Sequence, residues 1–249
     1  MISVFIFIFG LLIGSFANVV IYRQEKGKSF VFGRSACPNC KKMIAWYDNI
    51  PLLSFAVLGG RCRHCRKPIS WQYPIVELTA GLIFLWLFYR FGLTWHFASL
   101  AVFSFFLLVI FVYDLKHMLI LDKVSLPAMA IAFIINLWLG LGFLNLIYAA
   151  AIGAGFFAAQ YFISRGKWVG DGDIRLGALM GLMLGVKFLL VALFLAYLIG
   201  AVFAVFALIA KRFQMSSAVA FGPFLALGTF ITFLYGQEIL DWYLKLLYL

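Results

Sequence analysis

The sequence predicts an all-α polytopic membrane protein with about eight transmembrane helices and a small cytoplasmic zinc-binding insert between the first and second helices. Two observations carry this prediction. First, 65% of the 249 residues are apolar and only 12% are charged, and the mean hydropathy of +1.06 lies outside the range of soluble domains. Second, the four cysteines form two Cys-x-x-Cys pairs within one polar segment, residues 22–73.

Eight apolar stretches come near the roughly 20 residues that a helix needs to cross a bilayer. The stretch 124–163 would be about 60 Å long as a single helix, so we expect it to turn back near residues 140–145. Lys187 would be costly inside the membrane, so we expect a second turn at 185–187. The predicted spans are 1–21, 74–91, 97–113, 124–141, 144–164, 174–186, 188–210 and 219–236.

These spans divide the chain into a first transmembrane helix (1–21), an insert (22–73) and a transmembrane core (74–249). The first helix has no basic segment before it and no small-residue cleavage site after it. We therefore interpret it as a retained span and not as a secretory signal.

The basic residues predict the orientation of the chain. Seventeen of the 20 Lys and Arg residues fall in alternate loops, and ten of them lie in the insert. The positive-inside rule then places the insert in the cytoplasm and both termini outside. The formal net charge of +11 would favour nucleic acid as a partner of a soluble protein, but here we expect anionic membrane lipids and no nucleic acid.

The cysteine pairs predict a structural zinc site formed by Cys37, Cys40, Cys62 and Cys65. Two such pairs complete the tetrahedral sulfur shell that zinc prefers, and metal binding would supply folding free energy to a small insert. Disulfides are the competing interpretation, but they are rare in a reducing cytoplasm. A redox role is weaker because the pairs lack a βαβ context. We interpret His64 as an ordinary loop residue.

Two aspartates predict a catalytic pair. Asp114 follows one predicted span and Asp173 begins another, with two crossings between them, so both carboxylates belong at the same membrane face. Two close carboxylates in apolar surroundings share a proton, and one can activate water while the other protonates a peptide carbonyl. Gly170 and Gly172 would let an extended substrate approach Asp173. A single acidic residue at a helix end is as often an N-cap or an interfacial charge, as we expect for Asp122 and Asp171.

Several motifs, in order along most of the chain, resemble the prepilin peptidase (type IV leader peptidase) family. They are Gly14-Ser-Phe-Ala-Asn-Val-Val-Ile-Tyr-Arg23, the two cysteine pairs, Asp48-Asn-Ile-Pro-Leu-Leu-Ser54, Pro68-Ile-Ser, Tyr73-Pro-Ile-Val-Glu77, the Asp114 segment and Gly170-Asp-Gly-Asp173. The last motif resembles the GxGD signature of intramembrane aspartyl proteases.

The resemblance implies that Asp114 and Asp173 are catalytic, that the cysteines hold zinc, and that the enzyme lies in a bacterial cytoplasmic membrane. Its substrates would be type IV prepilins and pseudopilins, which lose a short basic leader after a glycine at the cytoplasmic boundary. Many members then methylate the new N-terminus with S-adenosylmethionine, and the insert with Glu77 favours this bifunctional form.

Four residues within the matching motifs are candidates for binding the methyl donor: Asn18, Arg23, Asn49 and Glu77. No glycine-rich nucleotide loop locates a pocket for it. The chain departs from the family at Leu121, where a proline is usual, and at Arg175, where lysine is common.

Two other functions remain open from the sequence. A proton-coupled transporter also uses membrane-embedded acidic pairs, although usually near the midplane and often with internal repeats. A noncatalytic membrane scaffold would use the zinc module to recruit a partner, and its aspartates would be replaceable.

Overall fold

The computed structural model describes residues 1–27, 33–210 and 219–247. Over these ranges the chain forms eight α-helices and one short 3₁₀ helix. The α-helices are α1 (Ile2–Glu25), α2 (Leu53–Val57), α3 (Gln72–Phe91), α4 (Trp95–His117), α5 (Asp122–Trp138), α6 (Phe143–Ser164), α7 (Asp171–Ile209) and α8 (Gly222–Leu247), and the 3₁₀ helix is Trp46–Asn49.

The predicted fold class is confirmed, since the elements named among the described residues are all helices and six of them are long and apolar enough to cross a membrane. These are α1, α3, α4, α6, α7 and α8. α5 has 17 residues and falls just short of this length. α1 and α8 continue past the predicted ends of their spans, to Glu25 and Leu247.

α7 contains two antiparallel spans. As a straight helix its 39 residues would extend about 58 Å, but Gly185 has non-helical torsions (φ 72°, ψ 171°) that break it. Gly177, before the break, lies against the ring of Phe157 in α6. Tyr197, after the break, packs on the neighbouring Phe156 with ring centroids 5.8 Å apart. Both halves therefore run beside α6, and the turn predicted at 185–187 is confirmed.

With α7 divided at Gly185 and the short α5 included, the described residues form eight long helical segments at the positions of the eight predicted spans. Of these, α5 and the first half of α7 are shorter than the roughly 20 residues that a membrane crossing needs. Lys187 lies at the turn, where its ammonium donates to Gln237 Oε1 at 2.9 Å and stands 5.0 Å from the ring centre of Phe188. The ammonium of Lys187 therefore has a neutral hydrogen-bond acceptor and an aromatic ring beside it at the turn.

The chain forms two compact units, Met1–Ala101 and Val102–Leu249. In the first unit, α1 packs closely along α3 because glycines face the partner backbone. A Cβ on Gly14 would lie 2.7 Å from Glu77 Cα, and one on Gly10 would lie 2.8 Å from Gly81 Cα. The predicted division of the chain into segments at residues 21 and 73 stays a prediction.

In the second unit, glycines again allow close helix packing. A Cβ on Gly153 of α6 would collide with the carbonyl oxygen of Gly177, and one on Gly181 would collide with the carbonyl oxygen of Ala149. Such contacts fix α6 against the first half of α7, as small residues commonly do in membrane helix pairs. Gly228 plays the same part between α8 and the second half of α7, facing Ala192.

Two asparagines satisfy backbone groups that the break at Gly185 releases. The buried Asn136 amide donates to the carbonyl oxygens of Leu182 and Met183 at 2.6 and 3.0 Å. Asn145 Oδ1 accepts the N–H of Val186 at 3.1 Å. Because the Leu182 and Met183 carbonyl groups are buried, where water cannot replace a lost partner, such capping stabilises the break.

Asn136→Ala should lower the free energy of unfolding by about 1–2 kcal/mol, since it leaves two buried carbonyl groups without their donor. The matched control is Ser125→Ala on the same helix. Ser125 is fully buried and its hydroxyl has no hydrogen-bond partner among the described residues, so its removal should cost nothing. Denaturation in mixed detergent micelles measures both variants, and equal losses would contradict the capping role.

Candidate active site and metal centre

Asp114 lies in the last turn of α4 and is 5% exposed. Backbone N–H groups of Gly222 and Leu119 hydrogen-bond its carboxylate. Gly222 is the first residue of α8, and a Cβ there would lie 2.5 Å from Asp114 Oδ2. The N-terminus of α8 therefore meets the carboxylate directly, and its helix dipole favours a negative charge at this point.

Asp173 lies in the first turn of α7 and is 7% exposed. Its Oδ2 accepts the backbone N–H of Gly170 at 2.9 Å. This is the reciprocal contact of a capping box, in which the N3 side chain reaches back to the N-cap residue. Asp173 thus also sits at a helix N-terminus, held by a backbone donor.

The structure brings the two predicted aspartates together. Ile120, which follows α4, packs on Gly172, where a Cβ would lie 2.9 Å from Ile120 Cβ. The Asp114 carboxylate is close enough to Asp173 to interact with it electrostatically. When two buried carboxyl groups lie near each other, the second negative charge is costly, so one group can stay protonated and serve as the acid while the other serves as the base.

The two glycines beside Asp173 have different surroundings. The space over Gly172 is occupied by Ile120, so this glycine permits the packing of the α4–α5 connection. A Cβ on Gly170 would meet Asp173 Oδ2 at 3.7 Å, an ordinary contact. Their predicted role in substrate approach stays a prediction.

Gly222 and Ile120 were not among the residues expected at the site. Gly222 contacts Asp114 from a distant part of the chain, and its sequence signal is the Gly222-Pro223 pair at the start of an apolar stretch, which is typical of a helix N-terminus. Ile120 has no signal of its own, because it is one apolar residue among several.

The four cysteines form one cluster in which the Sγ atoms all lie within 4.8 Å of one another. Each pair occupies a tight hairpin of the same design. Cys37 N–H donates to Lys42 O, and Lys41 N–H donates to Cys37 O, both at 3.0 Å. Cys62, Arg66 and Lys67 repeat this pattern at 2.9 and 3.0 Å.

This cluster fits a tetrahedral metal. Zn–S bonds of about 2.3 Å place two sulfur atoms about 3.8 Å apart, and Cys37 Sγ and Cys65 Sγ are 3.8 Å apart. The backbone amides of Cys65 and His64 lower the pKa of the Cys62 thiol to about 6. The Lys67 amide acts in the same direction on Cys65, but burial and hydrogen bonds with the neighbouring thiols raise the pKa of that thiol to about 11. Because the thiolate is the form that ligates metal, such amides favour binding.

An ion pair joins the hairpin that contains Cys62 and Cys65 to the 3₁₀ helix. Arg63 donates to both oxygens of Asp48, with Nη2 2.6 Å from Oδ1 and Nε 2.8 Å from Oδ2. The Arg63 hydrogen bond holds the pKa of Asp48 below its ordinary value, so the pair is ionised at neutral pH. The guanidinium also lies 5.4 Å from the ring centre of Tyr47.

The four candidate residues for the methyl donor all lie in the first unit, where two of them are buried and engaged with protein. Asn18 donates to Tyr73 O at 3.1 Å and accepts from Gln72 at 3.2 Å. Glu77 accepts the N–H of Leu52 at 2.9 Å.

The other two candidates lie nearer the surface. Arg23 donates to Gly33 O at 2.5 Å, and Asn49 is exposed in the 3₁₀ helix. These contacts connect the insert to α1 and α3 and do not outline a nucleotide pocket, so the predicted donor-binding role stays a prediction.

Two family profiles cover most of the chain. Residues 8–91 match the family described as Bacterial Peptidase A24 N-terminal domain, and residues 101–205 match the Type IV leader peptidase family. The first match spans the cysteine cluster, and the second spans Asp114 and Asp173.

Curated proteins named prepilin leader peptidase/N-methyltransferase are similar along nearly the whole chain. The protein from Bacillus subtilis is 36% identical over 97% of this chain and 97% of its own length. The Xanthomonas campestris protein is 33% identical over 95% and 92%, and the Pseudomonas aeruginosa protein is 30% identical over 95% and 91%. No solved structure matches the chain.

Proposed function

Because this chain belongs to the type IV leader peptidase family, we propose that it is an intramembrane aspartyl endopeptidase that removes the basic leader peptide from type IV prepilins or pseudopilins. The observation that carries the proposal is the meeting of Asp114 and Asp173 in the second unit, each buried at a helix N-terminus. Relatives of similar length bear names that specify this substrate.

The proposed reaction needs only these two side chains and water. The ionised carboxylate takes a proton from water as the water attacks the scissile carbonyl, and the protonated carboxyl donates its proton to the carbonyl oxygen. Collapse of the tetrahedral intermediate breaks the C–N bond, and the leaving amine receives a proton from the pair. Backbone N–H groups of Gly222 and Gly170 hold the carboxylates throughout.

We also propose a cytoplasmic position for the insert and the aspartates, with both termini outside, in a bacterial cytoplasmic membrane. The support is the distribution of Lys and Arg among alternate loops. Residues 33–71 contain seven basic residues and one acidic residue, Asp48, which is paired with Arg63. Because α1 and α3 tether this segment to the membrane, anionic lipid headgroups are its nearest partner, and nucleic acid is not expected.

The relatives' names include an N-methyltransferase activity, and we propose that the processed N-terminus is methylated with S-adenosylmethionine as donor. Asn18 and Glu77 already use their polar atoms to hold Tyr73, Gln72 and Leu52. They therefore do not by themselves fit a donor site, and we assign no step of methyl transfer to them.

Replacement of either aspartate by asparagine should abolish leader removal. The side-chain amide of asparagine cannot exchange the proton, and a lost general acid or base costs roughly 100- to 10,000-fold in rate. Cleavage of a prepilin in membranes containing the full-length enzyme measures the loss. Asp241→Asn is the matched control, since Asp241 lies in α8 and accepts from Gln237 at 2.7 Å. Retained cleavage by either Asp114→Asn or Asp173→Asn would refute the mechanism.

The purified protein should contain about one zinc ion per chain, bound by the four thiolates. Cys37→Ser should reduce the zinc content and loosen the insert, because metal binding supplies folding free energy there. His64→Ala is the control, since His64 lies between two ligands without being part of the cluster. Elemental analysis and limited proteolysis of residues 33–71 measure both effects. A folded insert that lacks metal would contradict the site.

A further inference from the structure

One guanidinium connects the ends of the two segments that carry the aspartates. Arg175, in the first turns of α7, donates through Nη2 to Asp171 Oδ2 at 3.0 Å and through Nη1 to Asp122 Oδ1. We call these three residues the Arg175 clamp. Asp122 is the first residue of α5 and Asp171 is the first residue of α7, so the clamp joins two helix N-termini.

The clamp stands next to the proposed catalytic pair along both segments. Asp171 is two residues before Asp173, in the same helical turn. Asp114 lies in the last turn of α4, and Asp122 begins α5 directly after the short α4–α5 connection. The separation between these two segments therefore depends on what holds the α4–α5 connection against the start of α7.

Ile120 and the Arg175 clamp both hold this connection against the start of α7, by contacts of different character. Ile120, only 6% exposed, packs on Gly172 and forms the apolar contact. The Arg175 clamp forms the ionic contact on the more exposed side, with 35% of the Arg175 side chain and 53% of the Asp122 side chain accessible. The connection turns sharply at Met118, which has a positive φ of 51°.

The chemistry of arginine suits this position. A planar guanidinium presents donors in a fixed fork and can bind two carboxylates at once, whereas the ammonium of lysine is a single point charge. Exposed ion pairs contribute little to stability, typically below about 1 kcal/mol. Loss of the clamp should therefore affect the placement of the aspartates more than the stability of the fold.

We propose that Arg175 is a positioning residue of the peptidase, which holds the Asp122 and Asp171 ends together and thereby sets the approach of Asp114 to Asp173. This inference rests on the proposed peptidase function. Arg175 acts through its hydrogen bonds to Asp122 and Asp171, on the two segments that carry the catalytic pair.

The test is a kinetic comparison of Arg175→Met and Arg175→Lys in the full-length enzyme with a prepilin substrate. Misplacement of reacting groups by about 1 Å can cost roughly 100-fold in rate, so Arg175→Met should lower kcat by roughly 10- to 100-fold with KM nearly unchanged. Arg175→Lys should fall between Arg175→Met and the wild type, because it keeps the charge and loses the fork. Lys167→Met, which removes an exposed charge before α7, should retain wild-type kcat.

A double substitution distinguishes loss of the Asp122–Arg175 contact from a general effect of changing the charge near the aspartates. Asp122→Asn should lower kcat by itself, and the double variant Asp122→Asn/Arg175→Met should be no slower than Arg175→Met alone, because both remove the same contact. Zinc content and thermal stability should stay at wild-type values in each variant.

Wild-type kcat in Arg175→Met, a change confined to KM, or strictly additive losses in the double variant would overturn the inference. If Arg175→Met fails to fold, Arg175→Lys and Asp122→Asn decide by the same kinetic criteria. If the wild type cleaves the prepilin and Asp114→Asn does not, these outcomes reject the role of the Arg175 clamp and leave the peptidase function intact. A wild type that fails to cleave, or an active Asp114→Asn, would instead reject the peptidase function and with it the inference.

Discussion

The burial of two carboxyl groups within a membrane-embedded unit is the constraint on which the rest of the structure depends. A buried, unpaired charge is strongly unfavourable. Here each carboxylate accepts from backbone N–H groups, Asp114 from Gly222 at the start of α8 and Asp173 from Gly170 at the start of α7. Helix N-termini supply these donors and a favourable dipole. These donors stabilise the buried carboxylates, so that one of the two groups can be ionised and can exchange a proton.

Helix packing places these N-termini together. The first half of α7 must run closely beside α6, which the glycine contacts between the two helices permit. The break at Gly185 then returns the second half alongside the same helix, so that α8 can pack against it. Asn136 and Asn145 satisfy the groups that the break exposes. The Gly185 break and its two capping asparagines, at one end of the helices, therefore help to position the aspartates at the other end.

The features that could be predicted from the sequence depend on local composition and on the number of membrane crossings between two residues. Hydropathy indicated the spans, Lys187 marked the turn, and two crossings between Asp114 and Asp173 placed both at one face. The contacts of Gly222 and Arg175 were not predicted, because they join residues far apart in the chain and no periodic pattern reports them. The buried contacts of Glu77 were missed for the same reason: its partner Leu52 is an apolar residue that contributes only its backbone.

Cross-linking tests whether residues 114 and 173 are neighbours at one membrane face. The full-length double variant Asp114→Cys/Asp173→Cys would be oxidised in membranes and its linked peptides identified by mass spectrometry. We expect a direct 114–173 link. We expect no link in Asp114→Cys/Asn145→Cys, because Asn145 contacts Val186 at the Gly185 break, which is at the far end of the first half of α7 from Asp173. A 114–145 link, or no 114–173 link while both thiols react with a small maleimide, would contradict this placement of the two aspartates.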